Sequence, residues 1–333
     1  MRDMSVIFEA SGYSLLGPQA MNCSAPDEGN MHMLEVVANS DQKEKWLKPL
    51  AKAEIRSCFS MTEPSPGAGS DPTMLQTTAK KTSKGWLING EKWFITGFNG
   101  AKLNIIMAKT SDKIEKGFGA TMFLVDNDDP AIIKIRTQNS MESSFPGGHC
   151  QIKFKDLLVS DDQVLGEVGE GYKYAQVRLA PARLTHCMRW LGAAQRAHDI
   201  ATSYAAKRHA FGKAIGDHGG LAFQLTDNEI DIQMSRLFIW NTAWLLDQGE
   251  QARNESSMSK IFCSEAAFRI VDRAMQTLGG MGITDDTLVE RLFREIRPFR
   301  IYDGPSEVHR LSLIHISEPT RRTPISYAVF CLK

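Results

Sequence analysis

Hydrophobic and polar positions fall into three zones of different period. Residues 1–57 carry a helical pattern, and Asp41 with Glu44 reads as a capping box ahead of Trp46, Leu47 and Leu50. Residues 58–160 are made of short β-rich runs. Trp86-Leu87-Ile88 and Trp93-Phe94-Ile95-Thr96 flank Asn89-Gly90, a pairing that predicts a hairpin turn. Further runs at Leu103–Ala108, Ala120–Val125, Ala131–Ile135 and Gln151–Phe154 are punctuated by Gly, Pro, Asn and Asp, as in a small sandwich or barrel. From residue 168 to 300 the period turns helical. Leu221, Leu225, Ile232, Leu237 and Leu245 mark one long stretch. Met258, Ile261, Phe262, Ala266, Ile270, Ala274 and Leu278 mark another. With Val177–Ala201 and a shorter segment near Leu288–Ile296, they predict a helical bundle. The order is helices, β structure, bundle, with no solenoid repeat.

Composition narrows the function classes. At 333 residues with 42% hydrophobic and 23% charged side chains, the chain has the make-up of a globular protein with a sizeable core. Lys+Arg and Asp+Glu balance at 39 each, so no global field recruits nucleic acid or an acidic membrane. No apolar run reaches the roughly 18 residues of a membrane span. Cysteines 23, 58, 150, 187, 263 and 331 form no C-x-x-C pair and no zinc spacing, so no metal is expected. Free thiols point to a reducing compartment, whether cytosol, mitochondrial matrix or peroxisome. Met1–Ala10 lacks the apolar core of a secretory signal.

Five constellations can carry chemistry. Met61-Thr62-Glu63-Pro64 through Gly67-Ala68-Gly69-Ser70-Asp71 is a small-residue loop able to turn N–H groups toward an anion or polar ring. Lys92-Trp93-Phe94-Ile95-Thr96-Gly97 sets an aromatic two residues before a hydroxyl, suited to a flat heterocycle or simply to a β core. Arg208, before Phe211-Gly212, can clamp a pyrophosphate or merely end a helix. Gln276 followed by Gly279-Gly280-Met281-Gly282 permits close backbone approach, but it is not a dinucleotide fingerprint. Asp303, ahead of Gly304-Pro305-Ser306-Glu307, is either a helix cap or a general base. His186 and His149 have no ligand-spaced partner on their own elements and read as structural or surface residues.

These five motifs, in this order over residues 5–310, resemble the acyl-CoA dehydrogenase family. Asn22, Asp27-x-Gly29-Asn30-Met31, Pro146-Gly147-Gly148-His149 and Asp303 to His309 are most similar to the branch sometimes fused to an aminoglycoside-phosphotransferase-like domain. The resemblance implies an α+β fold of three parts. They are a truncated helical N-terminal domain (1–57), a middle β-barrel domain (58–160) and a C-terminal four-helix bundle (161–311), ahead of an aberrant tail (312–333). It implies FAD between barrel and bundle, completed by a second subunit of a homodimer or homotetramer. Phe59, Met61, Thr62, Phe94 and Thr96 would face the flavin, and Ser70 the flavin or the CoA side. Arg208, Phe211 and Gln224 would reach the neighbouring subunit's FAD. Gln276, Gly279 and Gly280 would lie at the adenosine-pyrophosphate side, with Ser306 and Glu307 near the dinucleotide. Arg183 and Gly304 would contact substrate, although the Asp found before that arginine in many relatives is missing. Asp303 stands where many members carry Glu, and Ser65-Pro66 is an insertion.

The implied reaction is removal of the α-proton of an acyl-CoA by Asp303 with hydride transfer to flavin N5. It yields a trans-2-enoyl-CoA and passes electrons to electron-transferring flavoprotein. A carboxylate is a weak base for this task. Exclusion of water must raise its basicity, and hydrogen bonds must hold the enolate-like oxygen. An acyl-CoA oxidase, a flavin monooxygenase or an inactive fragment remain alternatives on the same fold. After Arg310 the pattern changes. Ser312 to Pro324, with Pro319 and Pro324, does not suit a regular helix, resembles a translated sequencing-adapter read and is expected to be foreign. Ile325–Leu332 is accordingly expected to find no core position.

Overall fold

The computed structural model describes residues 1–111 and 119–317. These form two compact units, a helical unit of Met1–Met21 with Arg183 onward, and a β unit of Asn22–Ala182.

The β unit begins with helix α3 (Asp27–Val37), after α1 (Arg2–Gly12) and α2 (Gly17–Ala20) of the helical unit. Short turns α4 (Ser40–Gln42) and α5 (Lys48–Ala51) follow. The capping box lies two residues earlier than the sequence suggests. The Asn39 side chain accepts from the Gln42 N–H at 2.9 Å, and the Gln42 side chain accepts from the Asn39 N–H at 3.3 Å. Eight strands come next: β1 (Ser57–Ser60), β2 (Thr78–Thr82), β3 (Gly85–Thr96), β4 (Leu103–Lys109), β5 (Ala120–Asp126), β6 (Ile132–Gln138), β7 (His149–Val159) and β8 (Val164–Leu165). They join in one sheet in the order β6-β7-β3-β2-β4-β5-β8, with β1 parallel to β4.

Alternation along β4 and β5 explains why both strands are buried on both faces. Leu103, Ile105, Met107, Met122 and Leu124 point to a core shared with Met33, Leu34, Trp46 and Leu50. Ile106, Ala108, Phe123 and Val125 point the other way, onto Ile88 and Ile95 of β3 and Ile152, Phe154 and Leu157 of β7. Strands from both ends of the sheet thus close over one interior, each large side chain contributing roughly 1.5–3 kcal/mol by burial.

The expected Asn89-Gly90 hairpin is not formed. β3 runs straight through it, because β7 pairs along its length from Trp86↔Val159 to Thr96↔His149. Gly90 instead marks an irregularity, with φ of 154°, where a Cβ would stand 2.6 Å from the Thr77 Cα. The chain reverses earlier, between Thr82 and Gly85, where β2 meets β3. A ladder of this length outweighs a local turn preference.

In the helical unit, α6 (Gly171–Lys207) carries the chain out of the β unit. A small hairpin, β9 (His209–Ala210) and β10 (Lys213–Ala214), leads to α7 (Gly219–Asp247) and α8 (Arg253–Leu278). Then come α9 (Leu288–Ile296) and α10 (Ser306–Ser317). α6 to α9 are the helices that the periodicity predicts, whereas α10 runs on through Ser312–Ser317, where no regular helix is expected, because the first proline of that stretch, Pro319, lies beyond its end. Gly12 and Gly192 let α1 and α6 meet backbone to backbone; a Cβ on Gly12 would stand 1.9 Å from the Arg189 carbonyl oxygen. The face of α7 that packs inward differs from expectation. It buries Asn228, Asp231, Ile232, Ser235, Ile239, Thr242 and Ala243, while Leu237 is exposed with Phe223, Ile230, Met234, Trp240 and Trp244. Asp231 forms ion pairs with Arg269 (2.6 Å) and Arg273 (2.8 Å) of α8, which accounts for the polar inner face. Helix α10 continues past Arg310 to Ser317. The remainder of the expected foreign tail, with Cys331 and Ile325–Leu332, lies outside the described residues.

Candidate active site

In the β unit the small-residue loop is built on a buried ion pair. Lys92 Nζ lies 2.9 Å from Glu63 Oε1 and donates to the Met61 carbonyl at 2.9 Å, with both charged side chains withdrawn from water. Glu63 also accepts from the main-chain N–H groups of Ala68, Gln76 and Thr77. Burial opposes its charge, but Lys92 and these donors outweigh burial and hold it below the usual carboxylate range. Burial brings Lys92 down to about 8, partly offset by Glu63. The N–H of Trp93 donates to the Thr62 carbonyl, so the loop is tied directly to β3. Met61, Thr62 and Phe59 are half-buried there, and Ser70 is exposed. The Arg178 guanidinium stacks 4.3 Å from the Phe59 ring centroid and donates to Asn30 at 2.7 Å.

Phe94 occupies a bulge of β3, with φ of 52° and half of its surface in water. A bulky side chain in left-handed backbone is strained, and such strain clusters where structure serves a ligand. Its N–H is held by Gln138 at 2.7 Å. Two residues on, the Thr96 hydroxyl meets His149 Nδ1 at 2.9 Å, and His149 Nε2 lies 2.8 Å from Glu142. Burial works against the charge of Glu142, yet the His149 contact helps keep the carboxyl below its ordinary range.

In the helical unit, Asp303 lies between the short turn after α9 and the start of α10, with φ of 53°. His186 Nε2 of α6 is 3.1 Å from its Oδ2. Arg183 Nε donates to its carbonyl at 3.2 Å, and His309 Nε2 lies 3.1 Å from the same oxygen. A Cβ on Gly304 would come within 2.7 Å of that His309 nitrogen, so only glycine admits this contact. Burial, then the charges of Arg183 and Lys260, push His309 down to about 3. Fully buried Lys260 donates to the Phe299 carbonyl and is brought to about 8 by burial.

Other expected residues of this unit are more dispersed. Arg208 follows α6 and is exposed. Phe211 and Gly212 form the tip of the β9–β10 hairpin with φ of 53° and 85°, and Phe211 is 95% exposed, a costly arrangement without a partner. Gln224 lies in the first turns of α7. Gln276 is exposed near the end of α8, and a Cβ on Gly279 or Gly280 would meet nothing within 4 Å. Ser306 is buried and donates to Glu265 at 2.8 Å, whereas Glu307 is exposed.

Sequence reasoning missed His186 and His149, each of which touches a candidate residue. A signal for the first was present. Arg183, His186 and Arg189 recur every three residues on a helix whose other positions are mostly small or apolar.

Residues 58–157 match the family model for the acyl-CoA dehydrogenase middle domain, and residues 169–315 match its C-terminal domain. The chain is 35% identical over 326 residues to the probable acyl-CoA dehydrogenase FadE2 of Mycobacterium tuberculosis, covering 96% of this chain and 80% of that protein. It belongs to the acyl-CoA dehydrogenase family. It is therefore an oxidoreductase with the acyl-CoA dehydrogenase fold. Chicken acyl-CoA dehydrogenase family member 11 is 36% identical over 92% of this chain, which spans only 40% of that longer relative. Among solved structures, a Mycobacterium abscessus protein assigned to the acyl-CoA dehydrogenases superposes with a TM-score of 0.91 at 35% identity, over 95% of this chain and 79% of that one. A structure titled as the FAD complex of PigA gives 0.82 at 26% identity, over 91% and 81%. Among the described residues no helix is long and apolar enough to cross a membrane, and no cluster of three or more His, Cys, Asp or Glu can hold a metal.

In the β unit an exposed aromatic and a positioned hydroxyl share β3, which fits a large flat group. In the helical unit bare glycine backbone stands open at the end of α8, which fits a close approach by a ligand.

Proposed function

We propose that this chain is an FAD-dependent acyl-CoA dehydrogenase that converts a fatty acyl-CoA to the trans-2-enoyl-CoA in fatty acid β-oxidation, with Asp303 as the base. The observation that carries the reading is the Asp303 carboxylate itself, set on a left-handed turn and gripped at both its side chain and its carbonyl. A carboxylate so placed loses little freedom when it accepts a proton, which is what orientation contributes to such a step. Entry of an acyl chain displaces water and raises the basicity of the carboxylate. Arg183, whose guanidinium binds the Asp303 carbonyl, would contact the substrate next to the base. FAD, when bound, supplies the acceptor for the β-hydrogen.

Phe59, Met61, Thr62, Phe94 and Thr96 would line its ring, with Ser70 at the CoA side. Gln276, Gly279 and Gly280 would admit its pyrophosphate, and Ser306 and Glu307 would lie close to that end. Arg208, Phe211 and Gln224 would serve the FAD of a second copy. The exposed Phe211 and the apolar outer face of α7 support a homodimer or homotetramer. Electron-transferring flavoprotein would then reoxidise the enzyme.

The test is anaerobic bleaching of the flavin by a series of acyl-CoA thioesters. Asp303→Asn keeps the shape of the side chain but cannot take the proton. It is expected to retain FAD and lose about 10²–10⁴-fold in bleaching rate. Bleaching at the parent rate would rule out Asp303 as the base. Stoichiometric peroxide release under air would favour an oxidase instead.

A further inference from the structure

We propose that His186 is a positioning residue for the base. Its imidazole donates Nε2–H to Asp303 and holds that carboxylate ionised and oriented before substrate arrives. The proposal rests on the reading of Asp303 as the base.

The argument begins with the other ring nitrogen. Arg189, one turn along α6 and buried, points a guanidinium nitrogen at His186 Nδ1 at 3.2 Å. A guanidinium can only donate, so Nδ1 accepts and the proton of the neutral ring sits on Nε2. That nitrogen is 3.1 Å from Asp303 Oδ2. The ring is kept in place by aromatic neighbours, Tyr302 at 4.9 Å and Phe299 at 5.9 Å between centroids. Tyr302 is itself held by a hydrogen bond from Trp190. His186 is almost wholly buried, so water competes little for this contact.

The charges around the pair favour a neutral donor. Arg183 and Arg189 lie on α6, Lys260 on α8, and His309 on α10 faces the Asp303 carbonyl. A second proton on His186 would have to point at the Arg189 guanidinium. The ring thus donates to the carboxylate without becoming a cation. A donor aimed at a carboxylate favours its ionised form. It therefore sets the lower edge of the pH range in which the base can work. It also fixes which oxygen is committed to the imidazole, and with it the plane of the carboxylate.

The experiment compares the flavin-loaded parent with His186→Phe and His186→Gln. Phe keeps a ring between Tyr302 and Phe299 but removes the donor, while Gln returns an N–H close to the position of Nε2. In His186→Phe the acidic limb of the kcat/KM profile is expected to move up by about one to two pH units, the equivalent of one hydrogen bond to a charged group. At its own optimum kcat is expected to fall about 10-fold or more from loss of orientation, with KM little changed. His186→Gln should recover most of the shift. An unmoved acidic limb and kcat in a folded, flavin-loaded His186→Phe protein would overturn the proposal. Nitrogen-15 spectra of the histidine-labelled parent provide a check that needs no variant. They should show His186 as the neutral Nε2–H form, and an Nδ1–H form would overturn the assignment. Failure of the underlying reading has a separate signature, since Asp303→Asn would then remain active whatever the His186 variants do.

Discussion

The candidate residues of the two units are held by different means. In the β unit, the Met61–Ser70 loop and the Phe94–Thr96 strand are anchored through main-chain hydrogen bonds and one ion pair withdrawn from water. In the helical unit, Asp303 stands between helices and is fixed by side chains reaching from α6 and α10. The first arrangement resists small changes because many backbone bonds share the load. The second depends on a few side-chain contacts. The first is a broad rigid platform, and the second holds a single carboxylate in one orientation.

Removing one charge from the platform should have the largest effect of any single substitution on stability at neutral pH. Lys92→Met leaves Glu63 buried without its counter-ion and is expected to destabilise the β unit by about 3 kcal/mol or more. Chemical denaturation followed by tryptophan fluorescence measures this. A loss well under 1 kcal/mol would mean that the three N–H donors alone suffice for Glu63.

The helical half should instead reveal itself through pH. His309 takes up a proton near its ordinary 6.5 when unfolded but only at about 3 when folded. Between those values the unfolded chain binds a proton that the folded chain does not, so stability present above pH 6.5 is lost as pH falls toward 3. The full loss is on the order of 4 kcal/mol. His309→Gln should flatten that part of the curve of unfolding free energy against pH. An unchanged slope would place the acid sensitivity elsewhere.

The smallest expected change in stability is at Phe211. Phe211→Gly relieves left-handed strain while loosening the unfolded chain, so stability should move by less than about 1 kcal/mol. Flavin retention and assembly should nevertheless fall, as read from absorbance and sizing. Unaltered retention and size would remove Phe211 from any intersubunit role.

What could be read from the sequence follows from how local each signal is. The long helices α6 to α9 and the strands β4 to β7 were legible because their apolar periods are carried by the segments themselves. The Asn89-Gly90 turn misled because β7, some sixty positions away, supplies the pairing that keeps β3 straight. The capping box lies two residues earlier than expected, since Asn39 and Gln42 have the same i, i+3 spacing of capping side chains as Asp41 and Glu44. The inward face of α7 was misjudged because Arg269 and Arg273 of another helix make Asp231 an inner residue. Asp303 and its neighbours stand out as candidates through their order along the chain. His186 reads as structural because the carboxylate it meets lies on a remote segment, and its spacing from Arg183 and Arg189 marks only a polar row on α6.

In the proposed homo-oligomer, the outer face of α7 would turn protein concentration into a structural variable. Phe223, Ile230, Met234, Leu237, Trp240 and Trp244 form a row along nearly its whole length, and a lone copy must keep that row in water. Dilution then does more than separate copies. In the homo-oligomer proposed above it would remove a source of stability that acts by mass action, so the melting temperature should climb with protein concentration, and cofactor release and dissociation should reinforce one another. In that assembly a newly made chain would be most exposed to clearance in the interval before it meets another of its kind.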